Sequence, residues 1–200
     1  MSKNKKSRHH ALILVEGETE VEFYKRIAQL NFPAVSKTII NLKGTYNINK
    51  KIIDRCAAFS IASKGDTFDV YICVDREREN NPIYNNANVT AGINGLAGLL
   101  NKTDIIATLM IESLFFIDIA GIYAFLRAPK NSRNLKKYAN YKNLTHRDMS
   151  KLFDQHGKQY YKGHKCSQFV ERLDIDLIVK SSPELQLFVE SVLSRDKGLN

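Results

Sequence analysis

Five apolar residues, Ala11-Leu12-Ile13-Leu14-Val15, run unbroken into Glu16-Gly17-Glu18-Thr19-Glu20. A short continuous apolar run suits a strand buried on both faces of a parallel sheet. Gly17 permits a tight turn after it. Thr19 to Glu22 has the spacing of a capping box, with Thr19 as N-cap and Glu22 reaching back to it. The stretch therefore predicts strand, acidic turn and helix. It puts Glu16 at the carboxyl end of a strand, where open α/β sheets bind ligands.

The same alternation continues down the chain. Hydrophobic periodicity predicts a helix over 21–30, a strand over 37–42, a helix over 48–62 and a strand over 68–74 that stops at Asp75. Residues 76–89, rich in Asn around Pro82, read as a mobile loop. A short helix over 93–100, a strand over 105–111 that stops at Glu112, and a helix over 113–126 follow. Strand and helix in turn is the pattern of βαβ units, so the expected fold is α/β: a three-layer α/β/α sandwich on a mostly parallel sheet. Residues 1–10 read as a flexible basic tail, 11–126 as the core, and 127–200 as a basic segment with C-terminal helices packed on the core. Helices are expected over 167–173 and 183–193, the second with Pro183 in its first turn. At 44% apolar residues the chain can bury a core.

Three apolar strands thus end on acids, at Glu16, Asp75 and Glu112. In a parallel sheet those ends share one edge. Glu77, two residues after Asp75, projects from the same face if the strand extends, and Glu20 lies at the first turn of the helix after Glu16. Two like charges ~4 Å apart repel by roughly 4 kcal/mol at an effective dielectric near 20. Such a cluster must take up protons or a cation. An all-oxygen set favours Mg²⁺ or Mn²⁺, and two ions could clamp the attacking and leaving oxygens of a phosphodiester. Helix-dipole complementation by Glu20 and Glu22 is the plainer alternative.

The net charge of +9 points to a polyanionic partner, nucleic acid before membrane. Residues 127–165 hold eleven Lys and Arg against Asp148 and Asp154, an excess equal to that of the whole chain. Candidate phosphate contacts are Arg127, Lys130, Arg133, Lys136, Lys137, Lys142, Lys158 and Lys162. Tyr138, Tyr141, Tyr160 and Tyr161 are interleaved and could stack on bases, or could fill gaps in a solvated cover over the sheet. His146, His156 and His164 read as polar surface residues, with His164, beside Lys165, the one to test.

Cys56, Cys73 and Cys166 show neither disulfide nor zinc spacing, which fits a reducing cytoplasmic compartment. The basic start is followed by too few apolar residues for a signal peptide. Glu112 and Asp118 interrupt the longest apolar stretch, so no membrane span is expected.

Val15-Glu16-Gly17-Glu18-Thr19-Glu20 after one apolar strand and Val74-Asp75-Arg76-Glu77 after another resemble the TOPRIM domain. The Glu-Gly-x-Thr-Glu form is most similar to the OLD (overcoming-lysogenisation-defect) nucleases, including small stand-alone members. The resemblance covers residues 11–126 well; Gly163-His164-Lys165 and the closing helices resemble the same group with lower specificity. It implies a metal-dependent nuclease in which Glu16 and Glu20 are acids of the first motif, Asp75 and Glu77 stand for an Asp-x-Asp pair, and Glu112 follows the fourth strand. Glu16, Asp75 and Glu77 would be catalytic. Lys165, with Lys162 as the alternative, would match a late lysine facing the phosphate. Asp-Arg-Glu in place of Asp-x-Asp implies altered metal geometry, or an inactive scaffold.

The chain has no Gly-x-x-x-x-Gly-Lys-Ser/Thr, so the ATPase that accompanies larger OLD proteins would be a separate partner. The resemblance also implies a phage-defence or toxin effector. The competing expectation is a non-catalytic nucleic-acid-binding or assembly module; a primase- or topoisomerase-like enzyme is a weaker third. DNA or RNA as substrate, and a monomer or a homo-oligomer, stay open.

Overall fold

The computed structural model describes residues 8–76, 84–107 and 110–198, with side chains given up to 195. Four strands form one sheet: β1 (His9–Val15), β2 (Lys37–Asn41), β3 (Thr67–Asp75) and β4 (Leu99–Ala107). Their order is β2-β1-β3-β4 and every pairing is parallel. Helix α1 (Glu18–Asn31) links β1 to β2, α2 (Ile48–Ala62) links β2 to β3, and α3 (Asn86–Ile93) precedes β4. After β4 come α4 (Ile111–Phe115), a 3₁₀ turn, α5 (Ile119–Leu126), α6 (His146–Gln155), α7 (Ser167–Val170), α8 (Ile175–Ser181) and α9 (Pro183–Gly198). The chain is α/β, a parallel sheet between two helical layers.

Alternation along the strands divides the core in two. Ala11, Ile13, Val15, Tyr71 and Cys73 face α1 and the C-terminal helices. Leu12, Leu14, Val70, Ile72 and Val74 face α2 and α3. This is why β1 and β3 read as unbroken apolar runs: both faces are covered. The chain winds outward in one direction from β1 to β2 and in the other from β3 to β4. The switch point between β1 and β3 is therefore where a crevice opens.

Several boundaries differ from expectation. α1 starts at Glu18 with Gly17 as N-cap and no side-chain cap. Thr19 is instead buried in the first turn, where its hydroxyl accepts the Gly163 N–H at 2.9 Å. The expected helix over 93–100 lies earlier, at Asn86–Ile93, capped by the Asn85 side chain accepting from the Asn88 N–H. The fourth strand is also earlier. Pairing runs from Phe68↔Leu99 to Asp75↔Ala107, so β4 takes its length from β3. An edge strand tolerates the polar Asn101-Lys102-Thr103-Asp104 that hid it; Lys102 bridges to Asp104, and Tyr84 donates to Asp104 as well. Glu112 therefore does not end a strand but sits in the first turn of α4. The helix expected over 113–126 breaks at Asp118, whose carboxylate accepts from the Gly121 and Asp174 N–H groups, both at 2.8 Å. α6 and α8 lie in stretches where no helix was expected. The flexible tail expected over 1–10 is overturned at its end, because His9 and His10 pair with Thr67 and Phe68 as the start of β1. The loop expected over 76–89 likewise gives way to α3 from Asn86. Residues 1–7 and 77–83, Glu77 among them, lie outside the described residues.

The C-terminal helices are fastened by aromatic packing. Phe188 of α9 is fully buried, edge-on to Tyr71, Tyr24 and Phe32 at 5.3, 5.4 and 5.6 Å between ring centroids. Those partners belong to β3, α1 and the residue after α1. Phe169 of α7 meets Phe115, Phe153 and Tyr160 edge-on and Phe125 at a tilt. At the amino end of β3, buried Asp69 lies 3.4 Å from both His9 Nε2 and Arg195 Nε, which ties α9 to the sheet. Truncating Phe188 leaves a cavity where three elements meet. Phe188→Ala should lower unfolding free energy by about 3–5 kcal/mol, measured by urea denaturation; a loss under about 1 kcal/mol would mean α9 is not part of the core.

Candidate active site

The pairing Val15↔Cys73 brings Glu16, just after β1, beside the end of β3, where Asp75 is the last residue. Gly17 then turns the chain into α1, which carries Glu18 and Glu20 in its first turn. A Cβ at Gly17 would stand 2.9 Å from Glu20 Oε2, so a side chain there would push Glu20 aside. Glu16, Gly17, Glu18, Thr19, Glu20, Asp75, Met110, His146, Lys162 and Gly163 line a cavity of about 470 Å³. It lies at the switch point.

Glu112 stands behind this cavity at 1% exposure, with Lys162 Nζ 3.1 Å from its Oε1 and the Tyr160 hydroxyl donating to the same oxygen at 3.3 Å. The segment that brings Lys162 in is held by its neighbour. Gly163 is left-handed at φ +72°, and a Cβ there would meet Glu18 Oε2 at 2.6 Å. Only glycine fits that close approach to α1. Beyond it, His164 Nδ1 lies 2.9 Å from Glu22 Oε1.

Crowding the carboxylates shifts their titration. Burial, then repulsion from Glu20, Glu16 and Glu112, holds Asp75 well above the usual carboxylate range, against the pull of Lys162. Burial raises Glu20 too; Glu112 adds to this, while backbone N–H donors and Lys162 oppose it. For Lys162, burial favours the neutral amine, but attraction to Glu112, Glu20 and Asp75 outweighs it and the ammonium is strengthened. The Tyr160 hydroxyl is pushed up by burial and by Glu112, so it remains a donor.

Among the expected site residues, the fold brings together Glu16, Glu20, Asp75, Glu112 and Lys162. Lys165 is not with them: its ammonium lies 5.2 Å over the Tyr161 ring and lines a different cavity. The reason is Gly163, which turns the chain between the two lysines. Arg127, Lys130, Arg133, Lys136, Lys137 and Lys142 are exposed, as a phosphate-facing surface requires. Arg133 also donates to the Ala128 carbonyl and Lys158 to the Phe125 carbonyl. Tyr138 and Tyr160 are buried and fill the core, whereas Tyr161 is 45% exposed. His146, expected to be a polar surface residue, instead belongs to the acidic site. It lines the acidic cavity as the first residue of α6, behind a complete Thr145–Asp148 capping box. That Thr-x-x-Asp spacing was the available signal.

Among the described residues, no group of three or more His, Cys, Asp or Glu side chains is arranged to hold a metal ion. The donor chemistry nonetheless suits a hard divalent cation. The cavity acids offer oxygen only, and the raised Asp75 and Glu20 mark a place where positive charge is in deficit.

No protein-family model, curated protein or solved structure matches the chain. Fold and site by themselves define a class: a parallel α/β protein with a carboxylate-lined cavity at its topological switch point.

A carboxyl whose folded pKa is raised binds its proton more tightly than in the unfolded chain. Stability is then lost as pH rises from the ordinary carboxylate value to the raised one, and is regained as pH falls back across that window. Asp75→Asn should therefore melt above the wild type at pH 8 in EDTA, by on the order of 1 kcal/mol, and the gap should narrow as pH falls towards the ordinary carboxylate value, about 4. A lower Tm for Asp75→Asn at pH 8 would show that Asp75 is stabilised as an anion.

Proposed function

We propose that this protein is a divalent-cation-dependent nuclease with a TOPRIM-like site of the OLD type, cutting phosphodiester bonds in DNA or RNA. The observation that carries the reading is the convergence of Glu16, Glu20, Asp75 and Glu112 with Lys162 at the switch point. The basic, exposed 127–142 surface after it supports a polyanionic substrate. Without positive neighbours the acids would repel that substrate.

Glu16, Glu20, Asp75 and Glu112 would hold the cation, Mg²⁺ or Mn²⁺, with Glu77 as the expected further ligand and a second ion as the expected complement. When bound, such an ion supplies Lewis-acid stabilisation of charge on phosphate and makes water a stronger nucleophile. The chain's own groups do the rest. The Lys162 ammonium meets a non-bridging phosphate oxygen and offsets the negative charge that builds in the transition state. Water forms the new P–O bond and loses its proton to a cavity carboxylate. The ester P–O bond breaks, and His146 at the cavity wall supplies the leaving oxygen with a proton. A separate ATPase partner and a phage-defence role belong to the same proposal.

One observation favours a second reading, a non-catalytic nucleic-acid-binding module: as they stand, the described acids form no metal-holding group. Incubation with plasmid, single-stranded DNA and RNA in Mg²⁺, Mn²⁺ or EDTA separates the two. Cutting in metal alone is expected; binding without metal-dependent cutting would establish the module instead. Asp75→Ala should lower the cleavage rate by about a thousandfold or more with an unchanged circular dichroism spectrum. Lys162→Ala should lower it at least about tenfold more than Lys165→Ala, and the reverse order would return the phosphate contact to Lys165.

A further inference from the structure

Two adjoining cavities, the first reaching towards the acidic site, take no part in the proposed reaction. One, of about 320 Å³, is lined by Phe153, Tyr160, Tyr161, Lys165 and Phe169 among others. The other, of about 760 Å³, is lined by Arg127, Glu171 and Arg172 among others. Phe125, Lys158 and Gln168 line both, so the two form one groove between α5, α7 and the segment leading into Lys162.

One side chain separates the groove from the acidic site. Tyr160 is that side chain: it lines the groove, and its hydroxyl reaches Glu112. Lys162, two residues on, lines the acidic cavity. Between them Tyr161 is exposed at the surface, with the Lys165 ammonium over its ring. Phe125, Phe153 and Phe169, in mutual ring contact, make an apolar floor. Lys165, Lys158, Arg127 and Arg172 make a basic rim, against which Glu171 is the one acid among the lining residues. Lys158 gives one donor to the Phe125 carbonyl at 2.8 Å, and an ammonium has three.

We propose that this groove carries the single-stranded flank of the nucleic acid away from the acidic cavity; the inference rests on the nuclease reading and adds the strandedness of the substrate to it. Phosphates run along Lys165, Lys158, Arg127 and Arg172, and a base takes the Tyr161 ring as Lys165 moves to the adjoining phosphate. A basic track beside an exposed aromatic ring is how proteins hold unpaired strands. In a duplex the base faces are covered by their neighbours, and Tyr161 would have nothing to stack on.

The test is fluorescence anisotropy in the non-cutting Asp75→Asn protein, in EDTA, with labelled oligothymidylate and oligouridylate of about 20 nucleotides and a duplex of the same length. Lys158→Glu/Arg172→Glu should weaken single-strand binding by about tenfold or more, flatten its salt dependence, and change duplex binding less. Because Lys158 also caps α5, Arg127→Glu/Arg172→Glu, at two exposed positions, is measured beside it and should show the same loss. Unchanged single-strand affinity in this second variant overturns the proposal, as does a duplex that binds as tightly as the single strand. If wild-type protein cuts in Mn²⁺ while the groove variants bind normally, the groove alone fails. If wild-type protein neither binds nor cuts, the nuclease reading fails with it.

Discussion

Repulsion among carboxylates at one edge of the sheet is the constraint around which this molecule is built. Glu16 follows β1, and Glu20, Asp75 and Glu112 come from α1, β3 and α4; Glu16, Glu20 and Glu112 each make the ionisation of Asp75 harder. Left alone, such a cluster would favour opening of the edge. Lys162 offsets part of the charge from 56% side-chain exposure, so its partnership with Glu112 joins buried charge to the solvent side.

The C-terminal half is what makes that arrangement tenable. Lys162 is delivered by a segment pinned through Gly163 to Thr19, and Thr19 lies in the same turn of α1 as Glu18 and Glu20. The helices beyond hold the segment down through Phe169, Phe188 and their aromatic neighbours. Site and clamp are therefore one structure: the turn that presents the acids also receives the hydrogen bond that places their counter-charge. Asp69, paired with His9 and Arg195 at the opposite end of the sheet, repeats the theme, since a buried acid there too is compensated from the last helix.

The edge strand β4 shows how a polar sequence enters a sheet. Lys102 and Asp104 are mostly shielded, yet they bond to each other and to Tyr84 just before α3, so no buried charge is left alone. Charged side chains on an edge also discourage pairing with another chain. The same polarity made this strand hard to read from its residues.

The amino-acid sequence by itself determined the parallel α/β architecture, the placing of Glu16 and Asp75 at strand ends, and helices α2 and α9. Unbroken apolar runs and helical periodicity are local signals, and strands covered on both faces leave little ambiguity. Tertiary structure decided the rest. Glu112 joins the acids from a helix start rather than a strand end, because β4 takes its bounds from pairing with β3. The choice of Lys162 over Lys165 follows from the left-handed Gly163 and its bond to Thr19, a contact across 144 residues that no local pattern encodes. His146 reaches the cavity wall only because α6 packs beside α4, and Tyr138 and Tyr160 turn inward because the C-terminal helices need apolar filling there. Which neighbours a side chain meets depends on long-range packing, and that is set by the whole chain at once.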